Sequence, residues 1–225
     1  MCGRITLSTP AKVVAEHFGL NEIPRLSPRY NVAPGQPVAV VRSRSEGPER
    51  ILAMHTWGLV PRFAKDPTVG SRLINARAET VATRPAFRDA FRQRRCLVPA
   101  DGFYEWQPRG RNPKQPYHIT PVAEALFAIA GLFERDTCTL LTTEANEPMR
   151  AVHARMPVLL PREAWEPWLD PERDPDRLLA LLVPSPADAL ELHPVGLRVN
   201  DPRNDDVECT RRLPEGGLFP ELFSR

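Results

Sequence analysis

Apolar and polar positions change rhythm along the chain, and each change marks an element. Over residues 10–18, Val14 and Phe18 recur at helical spacing. Thr9 is placed to cap that helix, Pro10 suits its first turn, and Gly19 can end it. Residues 36–43 and 50–57 are β-type runs, with Ser45 to Gly47 between them as a hairpin turn. Helical spacing returns over 85–95, where Phe87 and Phe91 share a face and Pro85 sits in the first turn. Arg88, Arg92 and Arg95 then lie largely away from that face. Further strands are predicted over 96–99, 103–107, 116–120, 126–133, 138–143 and 156–160. Helices follow over 162–169 and 176–183, then a late strand over 190–195 and an irregular tail from Asp201. Strands dominate, and no strand–helix–strand rhythm appears. The expected class is α+β, a compact strand-rich fold with short surrounding helices. No linker or repeat interrupts the 225 residues, so one domain over 1–225 is expected, long enough for a sizeable core.

Composition narrows the functional classes. No apolar run approaches the ~18 residues of a membrane span, and no basic segment followed by an apolar one opens the chain. A cytoplasmic protein without membrane contact is expected. The four cysteines, Cys2, Cys96, Cys138 and Cys209, form no C-x-x-C pair, and no histidines sit at zinc spacing beside them. No metal and no cofactor are therefore expected. Cys96 and Cys138 read as small buried residues in apolar strands. The net charge of +2 does not by itself call for nucleic acid. Of 30 basic residues, however, only Lys12, Lys65 and Lys114 are lysines. A GC-rich genome produces the same bias, but arginine is also the better phosphate fork. No Gly-rich phosphate loop is present.

Four places carry candidate chemistry. Removal of Met1 would make Cys2 the N-terminus, with amine and thiol on adjacent carbons. Such an aminothiol condenses with an aldehyde to an imine, and the tethered thiol closes a thiazolidine ring. Glu105 stands between Tyr104 and Trp106. It is either a desolvated carboxyl with a raised pKa, suited to general acid work, or the wet face of a strand. Asn75 and Arg77 lie two apart, which on an extended segment offers an amide and a guanidinium to one ligand; the alternative is a turn Asn and a surface Arg. His153 and Arg155 repeat the spacing, a proton carrier beside a phosphate binder. His17, His55, His118 and His193 lack such neighbours and read as structural.

Taken together these runs resemble the SRAP family of SOS-response-associated peptidases, or abasic-site-processing proteins. The matching runs are Met1-Cys2-Gly3-Arg4, Tyr30-Asn31-Val32-Ala33-Pro34-Gly35, Trp57-Gly58-Leu59-Val60-Pro61 and Asn75-Ala76-Arg77-Ala78-Glu79-Thr80. They continue with Arg95 to Trp106, Ala130-Gly131-Leu132-Phe133-Glu134, His153-Ala154-Arg155-Met156-Pro157 and Val199-Asn200. The resemblance implies a compact α+β domain with a strand-rich pseudo-barrel. It implies recognition of abasic sites in single-stranded DNA and covalent capture through Cys2. Lyase and self-processing peptidase activities are associated with it. Asn75 and His153 are carried over as residues around the sugar, and Glu105 as acid/base. Arg4, Arg77 and Arg155 match phosphate-facing positions, with Arg84 within one residue of another. Asn31, Pro34 and Gly35 match a loop near the nucleophile. A monomer that joins the nucleoid when bound to DNA is expected. One departure stands out: relatives often carry two bulky aromatics after the Trp57 to Pro61 run, and here the residues are Arg62-Phe63-Ala64. Phe63 can stack on a base; Ala64 cannot.

Three rival classes remain. N-terminal-nucleophile amidohydrolases also open Met-Cys-Gly, although their glutamine-binding motifs are not evident downstream. A non-catalytic single-strand-binding module would use the arginines and Phe63 alone. A peptidase acting on other proteins would use the Cys2 thiol and Glu105.

Overall fold

A computed structural model describes residues 2–44, 47 and 49–214 of the chain. In chain order the strands are β1 (Ile5–Leu7), β2 (Arg29–Val32), β3 (Pro37–Ser43), β4 (Arg50–Trp57), β5 (Asn75–Arg77) and β6 (Arg95–Ala100). They continue as β7 (Gly102–Arg109), β8 (Asn112–Pro121), β9 (Phe127–Glu134), β10 (Thr137–Glu144), β11 (Arg155–Pro157) and β12 (Leu190–Pro194). The helices are short: α1 (Ala11–Phe18), α2 (Arg88–Gln93), α3 (Glu147–Arg150), α4 (Trp165–Leu169) and α5 (Pro175–Leu179).

Two strand systems result. One is a five-stranded antiparallel sheet in the order β12-β8-β7-β1-β2. In the other, β4, β3, β6, β9 and β10 pair in succession, and a short parallel contact of β10 with β4 returns the path to its start. This closed ring is the expected pseudo-barrel, and closure leaves it few open edges. Beyond the ring, β10 carries β5 along one side and β11 along the other.

The ring strands are apolar nearly throughout because both their faces are covered. β6 is buried at all six positions. Leu97 joins Val41, Ala130, Leu132 and Leu141 in a core covered by the helices. Cys96, Val98 and Ala100 point the other way, into a core shared with Ile5, Phe103 and Ile119 of the five-stranded sheet. Truncating a residue such as Leu97 to alanine costs ~2–5 kcal/mol in such surroundings. Cys96 and Cys138 are buried strand residues, as expected.

Several local expectations change. α1 buries Val14 and Phe18, Phe18 stacks on Trp165, and Gly19 ends the helix at φ 65°. Thr9 does not cap it, because its backbone N–H and its hydroxyl both go to Asp101; Pro10 holds the cap position without a side-chain bond. The helix predicted over 85–95 shortens to α2, with Phe87 and Phe91 buried. Arg95 is not on an exposed basic face. It opens β6, buried, and donates to the carbonyls of Phe91, Arg92, Trp168 and Asp170. Those carbonyls end α2 and α4 and have no partner inside their helices. Burial lowers the Arg95 pKa to about 10.

The hairpin of β3 and β4 forms with Ser43 opposite Arg50, while residues 45 and 46 of its predicted turn lie outside the described residues. β8 starts earlier than predicted, pairing Asn112 with Arg109. The strand predicted over 156–160 is the shorter β11, followed by an isolated bridge of Leu159 to Ile129. Within the irregular tail, Val207–Thr210 makes a 3-10 turn. The short elements β1, β2, β5 and α3 were too brief to stand out in the pattern.

Candidate functional site

β1 lies between β2 and β7, pairing Ile5 with both Val32 and Phe103. The strand is anchored at its far end by Asp101. That carboxylate accepts the hydroxyls of Thr6 (2.5 Å), Ser8 (2.9 Å) and Thr9 (3.0 Å) and the backbone N–H groups of Ser8 (2.6 Å) and Thr9 (2.8 Å). His118 Nε2 lies 3.2 Å from the same Thr6 hydroxyl. The hydroxyl hydrogen goes to Asp101, so Nε2 is the donor there. His118 is buried, and desolvation lowers its pKa to about 3. This histidine packs against Gly102, where a Cβ would sit 2.1 Å from Nε2. The knot fixes the register of β1 and therefore the position of the residues before it.

Cys2 sits at the near end, fully buried in the core shared by the sheet and the ring. Burial, and secondarily the Glu105 carboxylate, push its thiol well above the ordinary range. Asn75, on β5, donates its Nδ2 to the Cys2 carbonyl at 2.7 Å. One hydrogen bond thus joins the two strand systems at the candidate nucleophile. The other end of the same amide, Oδ1, is buried without a hydrogen-bond partner among the described residues. A buried acceptor left without a partner costs ~1–3 kcal/mol, so this oxygen marks a place for a donor.

Glu105 lies on β7, with Tyr104 and Trp106 pointing to the opposite face into a separate small cluster. Its carboxyl is buried rather than on a wet face. Desolvation raises its pKa, and His153 pulls the other way. His153 follows α3; its backbone N–H reaches Met149 O at 2.8 Å. Its Nδ1 lies 3.0 Å from the Arg155 backbone nitrogen and 3.2 Å from the Arg155 carbonyl oxygen, which holds the ring against the start of β11. Gln107, two residues beyond Glu105, donates to Ala151 O at 2.5 Å and ties β7 to the loop that bears His153. Cys2, Asn75, Glu105 and His153 are therefore brought together from four separated stretches of sequence.

The arginines differ in what they hold. Arg4 donates to Asn31 Oδ1 and Val199 O, both at 2.6 Å, and lies 5.6 Å from the Trp106 ring centre. Asn31 is fully buried and donates to the carbonyls of Val199, Asp201 and Asn204. These two residues fasten the 199–204 segment against β1 and β2. Pro34 and Gly35 make the turn from β2 to β3, where Gly35 takes φ 84° and donates to Trp57 O. Such a φ after a proline is the type II turn that favours glycine. Arg77 is exposed at the end of β5. Arg155 opens β11 and is held by Glu79 and by Thr142 O. Arg84 is exposed over the Phe87 ring, and Phe63 is 66% exposed after β4. Neither makes a hydrogen bond to the other candidate residues among those described.

The contributions of Asp101, Gln107, Thr142 and Glu79 were not foreseen. Glu79 and Asp101 stand inside matching runs, and Gln107 shares the Glu105 face at i+2; those are the available signals. A cavity of about 500 Å³ opens elsewhere, lined in part by His17, Phe127, Trp165, Leu181 and Val183, and no candidate residue lines it. Among the described residues, no group of three or more His, Cys, Asp or Glu is placed to hold a metal, and no helix is long and apolar enough to cross a membrane.

The chain is 40% identical over 221 residues to the abasic site processing protein YoaM of Bacillus subtilis, covering 92% of this chain and 96% of that one. It is 34% identical over 224 residues to the abasic site processing protein HMCES of Gallus gallus, covering 82% of this chain and 66% of that one. A crystal structure of a protein from Bacteroides thetaiotaomicron shares the fold with a TM-score of 0.84 at 24% identity, covering 95% of this chain and all of that one. The family model described as SOS response associated peptidase (SRAP) matches residues 1–202. The chain belongs to the SRAP family.

Proposed function

We propose that this protein recognises abasic sites in single-stranded DNA and captures them covalently through the amine and thiol of Cys2 once Met1 is removed. The observation that carries the reading is the Asn75 amide, bonded to the Cys2 carbonyl on one side and, among the described residues, lacking a partner on the other. A freed Cys2 amine is a donor of the kind the Asn75 oxygen lacks. The names of the relatives, abasic site processing proteins, supply the substrate class.

The chemistry runs in balanced steps. An abasic deoxyribose is mostly a closed hemiacetal. A Glu105 carboxyl that keeps its proton above the ordinary glutamate range can protonate the ring oxygen as it opens, with His153 as hydrogen-bond donor. The neutral Cys2 amine adds to the aldehyde carbon, and loss of water leaves an imine. The Cys2 sulfur then adds to the imine carbon while the thiol proton passes to the imine nitrogen. This closes the thiazolidine with no net redox change. A thiol held protonated by burial acts after the amine, since its proton must move as the C–S bond forms. The imine also permits β-elimination of the 3′ phosphate, a strand-cleaving side reaction that thiol addition suppresses. Met1 removal by the protein itself would account for a peptidase label.

Arg4, Arg77, Arg84 and Arg155 are assigned to flanking phosphates, and the Asn31, Pro34 and Gly35 turn to shaping the strand's path. Phe63 is assigned to stacking on a base, worth ~1–3 kcal/mol. A single domain over 1–225, acting as a cytoplasmic monomer that joins the nucleoid on damaged DNA, completes the reading.

The test is a denaturing gel of purified protein with single-stranded DNA bearing one abasic site. Wild-type protein should give a shifted band and Cys2→Ala none. Cys2→Ser keeps the amine without the thiol and should leave cleaved strand in place of stable crosslink. Intact-mass data showing Met1 retained in crosslinked protein would sink the mechanism. Ammonia release from glutamine would favour the amidohydrolase class instead.

A further inference from the structure

Arg155 and Arg77 flank β10 on its two sides, Arg155 opposite Glu144 and Arg77 opposite Thr142. Arg77 is exposed and forms no salt bridge among the described residues. Arg155 has both terminal nitrogens on one carboxylate, Nη1 to Glu79 Oε1 at 2.6 Å and Nη2 to Oε2 at 3.0 Å. Two parallel bonds from an arginine fork to two oxygens are also the geometry with which arginine takes a phosphate. Glu79 therefore occupies the phosphate-binding edge of Arg155.

Three features decide what that contact does. The Arg155 side chain is 17% exposed, while that of Glu79 is 46% exposed, so the carboxylate is the partner that can swing into water. Arg155 is also anchored by Nη2 to Thr142 O at 2.6 Å, a bond that does not involve Glu79. Losing Glu79 thus leaves the guanidinium tethered. A carboxylate this exposed to solvent yields readily to a competing anion.

We propose that Glu79 is a specificity-determining residue, a resident carboxylate that a DNA phosphate must displace from Arg155. The inference rests on the DNA-binding reading above. An undamaged strand offers phosphates alone and must expel Glu79 without compensation. A strand with an abasic site adds covalent capture at Cys2, which holds the phosphate in place after the exchange. Glu79 therefore weakens loading on intact single strands more than it weakens capture of the lesion.

The experiment measures binding of an undamaged single-stranded oligonucleotide by fluorescence anisotropy across a salt series. The proteins are wild type, Glu79→Gln, Arg155→Gln and the double variant, each checked for folding by circular dichroism. Glu79→Gln should bind about fivefold tighter near 0.1 M salt, and adding Arg155→Gln to it should make the salt slope shallower by ~0.7, the share of one phosphate contact. The gain should vanish in the double variant. Unchanged or weaker binding by folded Glu79→Gln overturns the proposal and makes Glu79 a strut. A gain that survives loss of Arg155 also overturns it, since net charge alone then explains the effect. If folded wild type and Glu79→Gln both fail to bind the oligonucleotide and fail to crosslink an abasic one, the DNA-binding reading falls and this inference with it. Crosslinking without the Glu79 effect removes only the gate.

Discussion

Asp101 and Glu105 stand four residues apart at and within β7, and they live in opposite circumstances. Asp101 collects five donors from Thr6, Ser8 and Thr9. Its charge is spent on holding β1. Glu105 is buried where desolvation works against its charge and raises its pKa. One carboxylate is made comfortable and the other uncomfortable, about 13 Å apart along extended chain. Comfort stabilises the scaffold; on the proposed chemistry, discomfort keeps a proton available.

That comparison can be broken most forcefully at Asp101. Asp101→Ala strands two backbone N–H groups and three hydroxyls, and should lower stability by ~3 kcal/mol in urea denaturation. Its crosslinking rate, measured well below the melting temperature, should fall by less than about tenfold, because acid/base chemistry retains every group it needs. Full stability with abolished crosslinking would reverse the two roles. Glu105→Gln makes the complementary cut. Crosslinking should slow about a hundredfold, the usual scale of a lost general acid, while the urea midpoint holds or rises. An unchanged rate would remove Glu105 from proton transfer.

The smallest expected effect sharpens the contrast through pH. Folding raises the Glu105 pKa above its ordinary 4.5. The folded state therefore binds that proton more tightly than the unfolded state. Glu105 is at its most favourable for stability below the ordinary value, and that contribution is lost as pH climbs through the raised one. Glu105→Gln does not titrate, so its stability relative to wild type should increase from pH 4 upward. A difference independent of pH between 4 and 8 would show that the carboxyl is not desolvated.

Periodicity made part of this legible. Phe87 with Phe91 and Val14 with Phe18 announced their helices because local spacing alone decided which side chains were buried. The ring strands announced themselves as apolar runs. What stayed hidden depended on distant partners. Arg95 read as an outer basic residue because the helix-end carbonyls it satisfies include those of Trp168 and Asp170, far along the chain. Thr9 had the composition of a helix cap, but Asp101 competes for the same groups and wins with a full charge. The candidate chemistry was visible as odd polar residues in apolar stretches. Its assembly was not, because the bond from Asn75 to Cys2 exists only once β5 and β1 have been placed by separate strand systems.

The position of β1 between β2 and β7 also sets an order of events during synthesis. β2 follows β1 closely, but β7 begins only at Gly102. At ~5–20 residues per second a ribosome needs several seconds to supply that second neighbour. Until then the first residues of the nascent chain lack half of their eventual sheet.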